Sequence, residues 1–184
     1  MITSFRTAAA VLPAAACTSA LLVLGSSTPA SAGVLDVTCA PPSSEVVNFS
    51  PPLTMTPQTV TVSTTTQYGP CVSLSNPALT SGARTNSSSA PGQTCLELLT
   101  NGPTTFTVTW NTGQTSTISA NRTSTVVGAA LVTTHTGTVT AGLFAGSTAV
   151  QVLTGAAADV LPCTLGLGTV ASIYSAVTLE ITSV

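Results

Sequence analysis

Charged side chains are nearly missing from this sequence of 184 residues: Asp, Glu, Lys and Arg together make up 4% of it, and lysine is absent. Five acidic residues and three arginines give a formal net charge of −2. Ordinary soluble domains are about a quarter charged. Because the chain lacks the clustered cations that bind phosphate groups, we exclude a nucleic-acid partner and an anionic membrane surface held by charge.

Groups for acid–base or metal chemistry are equally scarce, with a single histidine, His135. A hydrolase would need His135 as its base, but no G-x-S-x-G elbow supplies a nucleophile. Its place in residues 133–137, between two predicted strands, favours a solvated turn histidine. The acidic residues lie too far apart for a calcium cluster, and nothing pairs them as a glycosidase requires. We therefore predict no catalytic, cofactor-binding or metal-binding residue and expect that the protein is not an enzyme.

The N-terminus has the order of a secretory signal peptide. Arg6 precedes an apolar run over residues 8–24, and the small residues 30–32 (ASA) predict cleavage before Gly33. A transmembrane segment is the alternative, since the apolar run is close to the minimum spanning length. The sequence thus predicts a signal peptide over residues 1–32, one secreted domain over residues 33–184, and no membrane attachment after cleavage.

Four cysteines remain after removal of Cys17 with the signal peptide. They are Cys39, Cys71, Cys95 and Cys163. An even number in an exported domain predicts two disulfides, and none has the close C-x₂₋₄-C spacing typical of zinc sites. Three pairings are possible and spacing does not choose among them. We take the sequential pairing, Cys39–Cys71 and Cys95–Cys163, as the working prediction; each loop would contribute about 3.5–4.5 kcal/mol in the chain-entropy model.

Apolar and polar residues alternate along much of the chain, as in residues 106–110 (FTVTW) and 173–182. Strands with one buried and one wet face are typical of antiparallel sheets, and β-branched threonine suits the outward face. Frequent turn residues and the lack of a long helical period predict an all-β, antiparallel β-sandwich of Ig-like or related type.

Predicted strands cover residues 34–38, 45–50, 58–66, 70–74, 95–99, 104–111, 114–120, 123–134 (with a break near Gly128), 136–144, 147–154 and 172–183. Residues 80–94 lack apolar anchors and are predicted to form a mobile loop. One short helical turn is expected around residues 156–161. The predicted core consists of Phe106, Val108, Trp110, Val139, Leu143, Phe144, Val150, Val152, Val177, Leu179 and Ile181.

Several segments together resemble a group of small secreted proteins from high-GC Gram-positive bacteria. These segments are residues 49–58 (FSPPLTMTPQ), 68–71 (YGPC), 109–117 (TWNTGQTST), 136–147 (TGTVTAGLFAGS) and 177–181 (VTLEI). The resemblance implies export, four cysteines and a β-rich fold, and it implies no activity. In composition the chain is also similar to the enediyne-binding apoproteins, which are acidic, lysine-poor Ig-like sandwiches with two disulfides.

These observations predict a secreted, non-enzymatic β-sandwich with a structural, surface or binding role toward an extracellular or cell-envelope partner. One alternative is a carrier that holds a small apolar ligand in the mouth of the sandwich, in a pocket beside Trp110. A second alternative is an extracellular hydrolase built around His135. A further possibility is that outward rows such as Thr105, Thr107 and Thr109 form an ordered hydroxyl surface.

Overall fold

Strands dominate residues 35–183, the part of the chain that the computed structural model describes. The predicted signal peptide, residues 1–32, lies outside the described residues. The strands are β1 (Leu35–Cys39), β2 (Ser44–Leu53), β3 (Gln58–Tyr68), β4 (Cys71–Val72), β5 (Gly82–Gln93), β6 (Gly102–Trp110), β7 (Thr115–Val127), β8 (Ala130–Gly142), β9 (Thr148–Ala156) and β10 (Val170–Thr182). A 3₁₀ helix spans Cys95–Leu99, and a short α-helix, α1, spans Val160–Thr164.

The sheet closes on itself, so the predicted sandwich is wrong. Eight strands pair in the antiparallel order β2-β3-β5-β6-β7-β8-β9-β10, and β10 pairs again with β2 from Val170↔Leu53 to Ala176↔Ser44. This last pairing converts the sheet into an eight-stranded antiparallel barrel. Alternation along a strand shows only that one face is buried, which holds for sandwiches and barrels alike.

Both predicted disulfides are present, and they are the sequential pairs. The C-terminal half of β10 pairs with β1, and β1 pairs with β4, which lie outside the closed ring of eight strands. Cys39 and Cys71, which are register partners on β1 and β4, form one disulfide. Cys95 and Cys163 form the other, which joins the 3₁₀ helix to α1.

The segment predicted as a mobile loop, residues 80–94, contains β5, which pairs with β3 along its length. That prediction is wrong because β5 needs few apolar side chains: most of the strand is exposed, and Arg84 and Asn86 line a cavity instead of a packed core. Residues 95–99, predicted as a strand, form the 3₁₀ helix, whose N-terminus is capped by the Thr94 hydroxyl accepting from Leu96 N–H.

Two local predictions agree better with the structure. The break near Gly128 is a tight turn between β7 and β8, with Gly128 at a φ of 61°. The expected helical turn is α1, which lies a few residues later than expected. Pro162 fits there because it occupies the first turn, where its missing N–H costs no hydrogen bond. Among the described residues, no helix is long and apolar enough to cross a membrane.

One half of the barrel is filled by a packed core, which we call the packed end. It comprises Val37, Cys39, Tyr68, Cys71, Leu79, Phe106, Val108, Trp110, Ile118, Ala120, Val139, Ala149, Leu153, Val177, Leu179 and Ile181. The Trp110 indole N–H donates to Ser116 Oγ at 2.8 Å. A Cβ on Gly82 would come within 2.7 Å of the Trp110 ring, so a glycine is needed there.

Most of the predicted core is buried, but one strand was assigned the wrong face. Val150 is 37% exposed, and Val152 is only half-buried. The side chains of β9 that point inward are instead Ala149, Gln151 and Leu153. Because the buried Gln151 is polar and the outward Val150 and Val152 are apolar, the apolar pattern of this strand points to the wrong face. Leu143 and Phe144 are partly buried against the packed end.

Candidate functional site

The other half of the barrel is hollow. A cavity of about 570 Å³ lies between the packed end and the 3₁₀ helix, and all eight barrel strands contribute to its wall. We call this half the hollow end. Its apolar lining consists of Val47, Phe49, Leu53, Val62, Leu98, Phe106, Leu131, Leu153 and Ile173. Phe106 and Leu153 belong to both the packed core and the cavity wall, so they form the boundary between the two. The cavity is therefore beside Phe106, and the pocket expected beside Trp110 is not where the cavity lies.

An opening in the barrel wall leads to this cavity. β5 and β6 pair only at Gly82↔Trp110 and Ala83↔Thr109, whereas β5 remains paired with β3 to its end. Beyond these pairs, residues 84–93 and 102–108 border a gap that we call the seam. Outward-facing Thr85, Thr105 and Thr107 also line the cavity, which places its mouth at the seam.

The 3₁₀ helix connects the two strands that border the seam and is held at both ends. At its start, Cys95 is bonded to Cys163, and its N–H donates to the carbonyl of Thr54 at 3.0 Å. At its end, Arg122 Nη2 donates to the carbonyls of Glu97 and Thr100, each at 2.8 Å. Burial lowers the pKa of Arg122 from its usual value, and Glu97 partly opposes this effect. The helix is thus a fixed cover over the hollow end.

A row of polar side chains crosses four strands at the base of the cavity. The register pairs Ser175 of β10 with Glu45 of β2, Glu45 with Thr66 of β3, and Thr66 with Arg84 of β5. Arg84 Nη2 and Glu45 Oε2 form an ion pair at 2.5 Å, with side chains only 10% and 8% exposed. The Thr66 hydroxyl donates to the same Glu45 oxygen at 2.7 Å and accepts from Arg84 Nε at 3.1 Å.

Arg84 also rests on an aromatic ring across the seam. Its guanidinium carbon lies 4.4 Å from the centroid of Phe106 on β6, a distance at which a cation is attracted to the face of the ring. Sequence reasoning missed both members of the ion pair as site residues. Arg84 was assigned to a loop, and Glu45 is separated from it by 39 residues in sequence.

His135 lies inside the barrel, so the predicted solvated turn histidine is wrong. It is 7% exposed, near the middle of β8, and its Nδ1 is 3.4 Å from Gln151 Oε1. Its ring centroid lies 5.6 Å from that of Phe106. Burial lowers the pKa of His135, and the contact with Gln151 partly offsets this. Leu131 lies four residues earlier on β8 and is also buried, so the two side chains fall on the same face of the strand. This even spacing was the signal that could have placed His135 inside.

Among the described residues, two buried side-chain nitrogen or oxygen atoms have no hydrogen-bond partner: Tyr68 Oη and Gln151 Nε2. Tyr68 is 2% exposed, and burial, partly opposed by the nearby Arg84 charge, raises its pKa to about 12. Its ring lies in the packed end, with its centroid 6.4 Å from that of Trp110. The transition from core to cavity is thus a polar layer that is only partly satisfied.

The cavity wall offers both hydrogen-bonding and apolar side chains. His135 contacts Gln151 and Phe106, and its hydrogen bonding involves neither a serine nor a carboxylate. Within residues 35–183, no group of three or more His, Cys, Asp or Glu side chains is placed to hold a metal ion. The site residues predicted from the sequence are four cysteines, and all four form disulfides: Cys39 with Cys71 and Cys95 with Cys163.

No family model, curated protein or solved structure matches this chain. The geometry of the cavity is therefore the basis for a proposed function.

Proposed function

We propose that this chain is a secreted, non-enzymatic binding protein that carries one small amphipathic molecule in the hollow end of its barrel. The observation that supports this most is the cavity of about 570 Å³ lined by all eight barrel strands. Small-molecule sites usually have volumes of about 300–1,000 Å³, and eight-stranded barrels are wide enough to hold one such ligand.

The composition of the cavity wall supports binding rather than a packing defect. Proteins fill their interiors to the density of organic crystals, and an empty apolar space costs stability. A buried ion pair is also a poor source of stability compared with apolar packing. This chain has only eight residues that are acidic, Lys or Arg, yet it places Glu45 and Arg84 together at the base of the cavity. Selection for binding explains such an arrangement.

The seam and the cover suit reversible loading. A ligand enters between β5 and β6, where strand pairing is limited to two residue pairs, so that no extensive hydrogen-bonded ladder has to break. The Cys95–Cys163 disulfide and Arg122 keep the 3₁₀ helix in place above it. Two disulfides indicate an oxidising environment, in agreement with export of the carrier from the cell.

Binding of the neutral fluorophore N-phenyl-1-naphthylamine tests this proposal. We expect saturable binding at one site, seen as enhanced, blue-shifted emission. Thr133→Phe places a large ring in the cavity and should abolish the signal. Thr136→Phe is the matched control, because Thr136 lies on the same strand with its side chain exposed.

The proposal fails if the fluorophore does not bind, or if both variants bind it as the unmodified protein does. A native mass spectrum of protein purified from its own producer adds a second measurement. A co-purifying mass that is lost in Thr133→Phe and retained in Thr136→Phe would support a carrier.

A further inference from the structure

The charges around the cavity cancel. Its wall contains two acidic residues, Glu45 and Glu97, and two arginines, Arg84 and Arg122. His135, also in the wall, is uncharged at neutral pH because burial lowers its pKa. An ionic ligand would therefore bring an uncompensated charge into a partly desolvated site, which is costly. The electrostatic balance favours a neutral ligand.

One polar side-chain atom of Glu45 and one of Arg84 take no part in the ion pair or in the bonds to Thr66. Glu45 uses Oε2 for both Arg84 and Thr66, so Oε1 takes part in neither bond. Arg84 uses Nη2 and Nε, so Nη1 takes part in neither bond. Thr66 and the Phe106 ring hold the guanidinium in place from two sides. The acceptor Glu45 Oε1 and the donor Arg84 Nη1 thus belong to two ion-paired residues that both line the cavity.

From this arrangement we infer that the ligand is a neutral molecule with an apolar body and a terminal carboxamide or lactam group. The amide carbonyl accepts from Arg84 Nη1, and the amide N–H donates to Glu45 Oε1. The apolar body contacts the lining that includes Phe49, Leu131 and Ile173. This inference rests on the proposed carrier function and specifies the class of molecule carried.

Three aromatic compounds of nearly the same shape separate the possibilities. They are 2-naphthamide, which has both a donor and an acceptor, 2-acetonaphthone, which lacks the donor, and 2-naphthoate, which is an anion. At pH 7 we expect 2-naphthamide to bind about tenfold or more tightly than either of the other two, measured as Kd by calorimetry. The comparison uses unmodified protein, so it does not depend on a variant that folds.

A charge-removing variant provides the second test. Glu45→Gln leaves Arg84 without its counterion, so we expect the preference between 2-naphthamide and 2-naphthoate to shift by at least about tenfold toward the anion. Glu180→Gln removes an exposed carboxylate of β10 and is the matched control, with no expected shift.

The outcomes distinguish the two proposals. If N-phenyl-1-naphthylamine binds in the cavity but 2-naphthamide shows no advantage over 2-acetonaphthone or 2-naphthoate, the ligand class is wrong and the carrier function stands. If the fluorophore and all three compounds fail to bind, both proposals fall. A preference for the amide that Glu45→Gln leaves unchanged in folded protein would place the amide elsewhere and overturn the inference.

Discussion

The two halves of one barrel differ sharply in what they contain. At the packed end, inward positions hold large apolar side chains such as Val108, Ile118 and Leu179, which are fully buried. At the hollow end, β2 and β5 place Glu45 and Arg84 inward, around open space. The packed end also draws on β1 and β4, through Val37, Cys39 and Cys71, whereas the wall of the cavity comes from the eight ring strands and the 3₁₀ helix.

Side-chain choice and crosslinks account for the difference. At the packed end, the Trp110 ring fills the space left by Gly82, which has no side chain. At the hollow end, short polar residues such as Thr64 and Thr133 point into the cavity, and the 3₁₀ helix is tied above them by Cys95–Cys163. The packed end thus holds the largest buried apolar cluster, and the hollow end keeps open space beside two smaller clusters that include Leu53 and Leu131.

The largest effect is expected from truncating the packed end. Trp110→Ala should lower the free energy of unfolding by about 3–5 kcal/mol, because it leaves a cavity and removes the partner of Ser116. Ile173→Ala, at a half-buried residue that already faces open space, should cost about 1 kcal/mol. Guanidinium denaturation followed by circular dichroism measures both. Equal losses of unfolding free energy would show that the interior is packed equally tightly in both halves.

The two disulfides should differ in function more than in stability. They close sequence separations of 32 and 68 residues, so removal of either should cost about 4 kcal/mol in the chain-entropy model. The double variant Cys95→Ala/Cys163→Ala releases the cover of the cavity and should also weaken fluorophore binding. Cys39→Ala/Cys71→Ala, assayed where it is still folded, should keep that affinity. The contrast between the halves breaks down if both variants bind equally.

Alkaline pH tests the polar layer between the halves. Burial raises the pKa of Tyr68 to about 12 from 10.0, so the folded state keeps a proton that the unfolded state loses. Stability should therefore fall by about 2 kcal/mol as pH rises from 10 to 12. Tyr68→Phe should remove this loss and cost little at pH 7, since the hydroxyl has no hydrogen-bond partner. Tyr174→Phe, at an exposed residue, should leave the alkaline loss unchanged.

The smallest effect is expected on the acidic side. The pKa of His135 is lower in the folded state than the usual 6.5, so the unfolded state binds more protons just below pH 6.5. Stability should fall as the pH decreases below 6.5 and level off for this residue once the folded histidine protonates. His135→Gln should flatten this part of the profile in chemical denaturation series. An unchanged profile would contradict burial of the neutral ring.

Local patterns predicted many of the strands, and their failures have physical causes. β5 was missed because it lines the cavity with Arg84 and Asn86 and is largely exposed beyond them, so it needs no apolar anchors. Val150 was assigned to the core because Gln151, the inward residue, is polar. The candidate site could not be predicted from local patterns. Glu45 and Arg84 become neighbours only because each pairs with Thr66 on the strand between them.

The sequence by itself determined a β-rich chain with threonine on its outer faces and four cysteines that form two disulfides, because side-chain alternation and cysteine number are local properties. Only the tertiary structure decided that β2 closes on β10 and that β5 separates from β6. The β2–β10 pairing joins strands distant in sequence through backbone hydrogen bonds, which are nearly independent of side-chain identity, and the early end of the β5–β6 pairing leaves the seam. The cavity, its seam and its buried ion pair are consequences of those pairings.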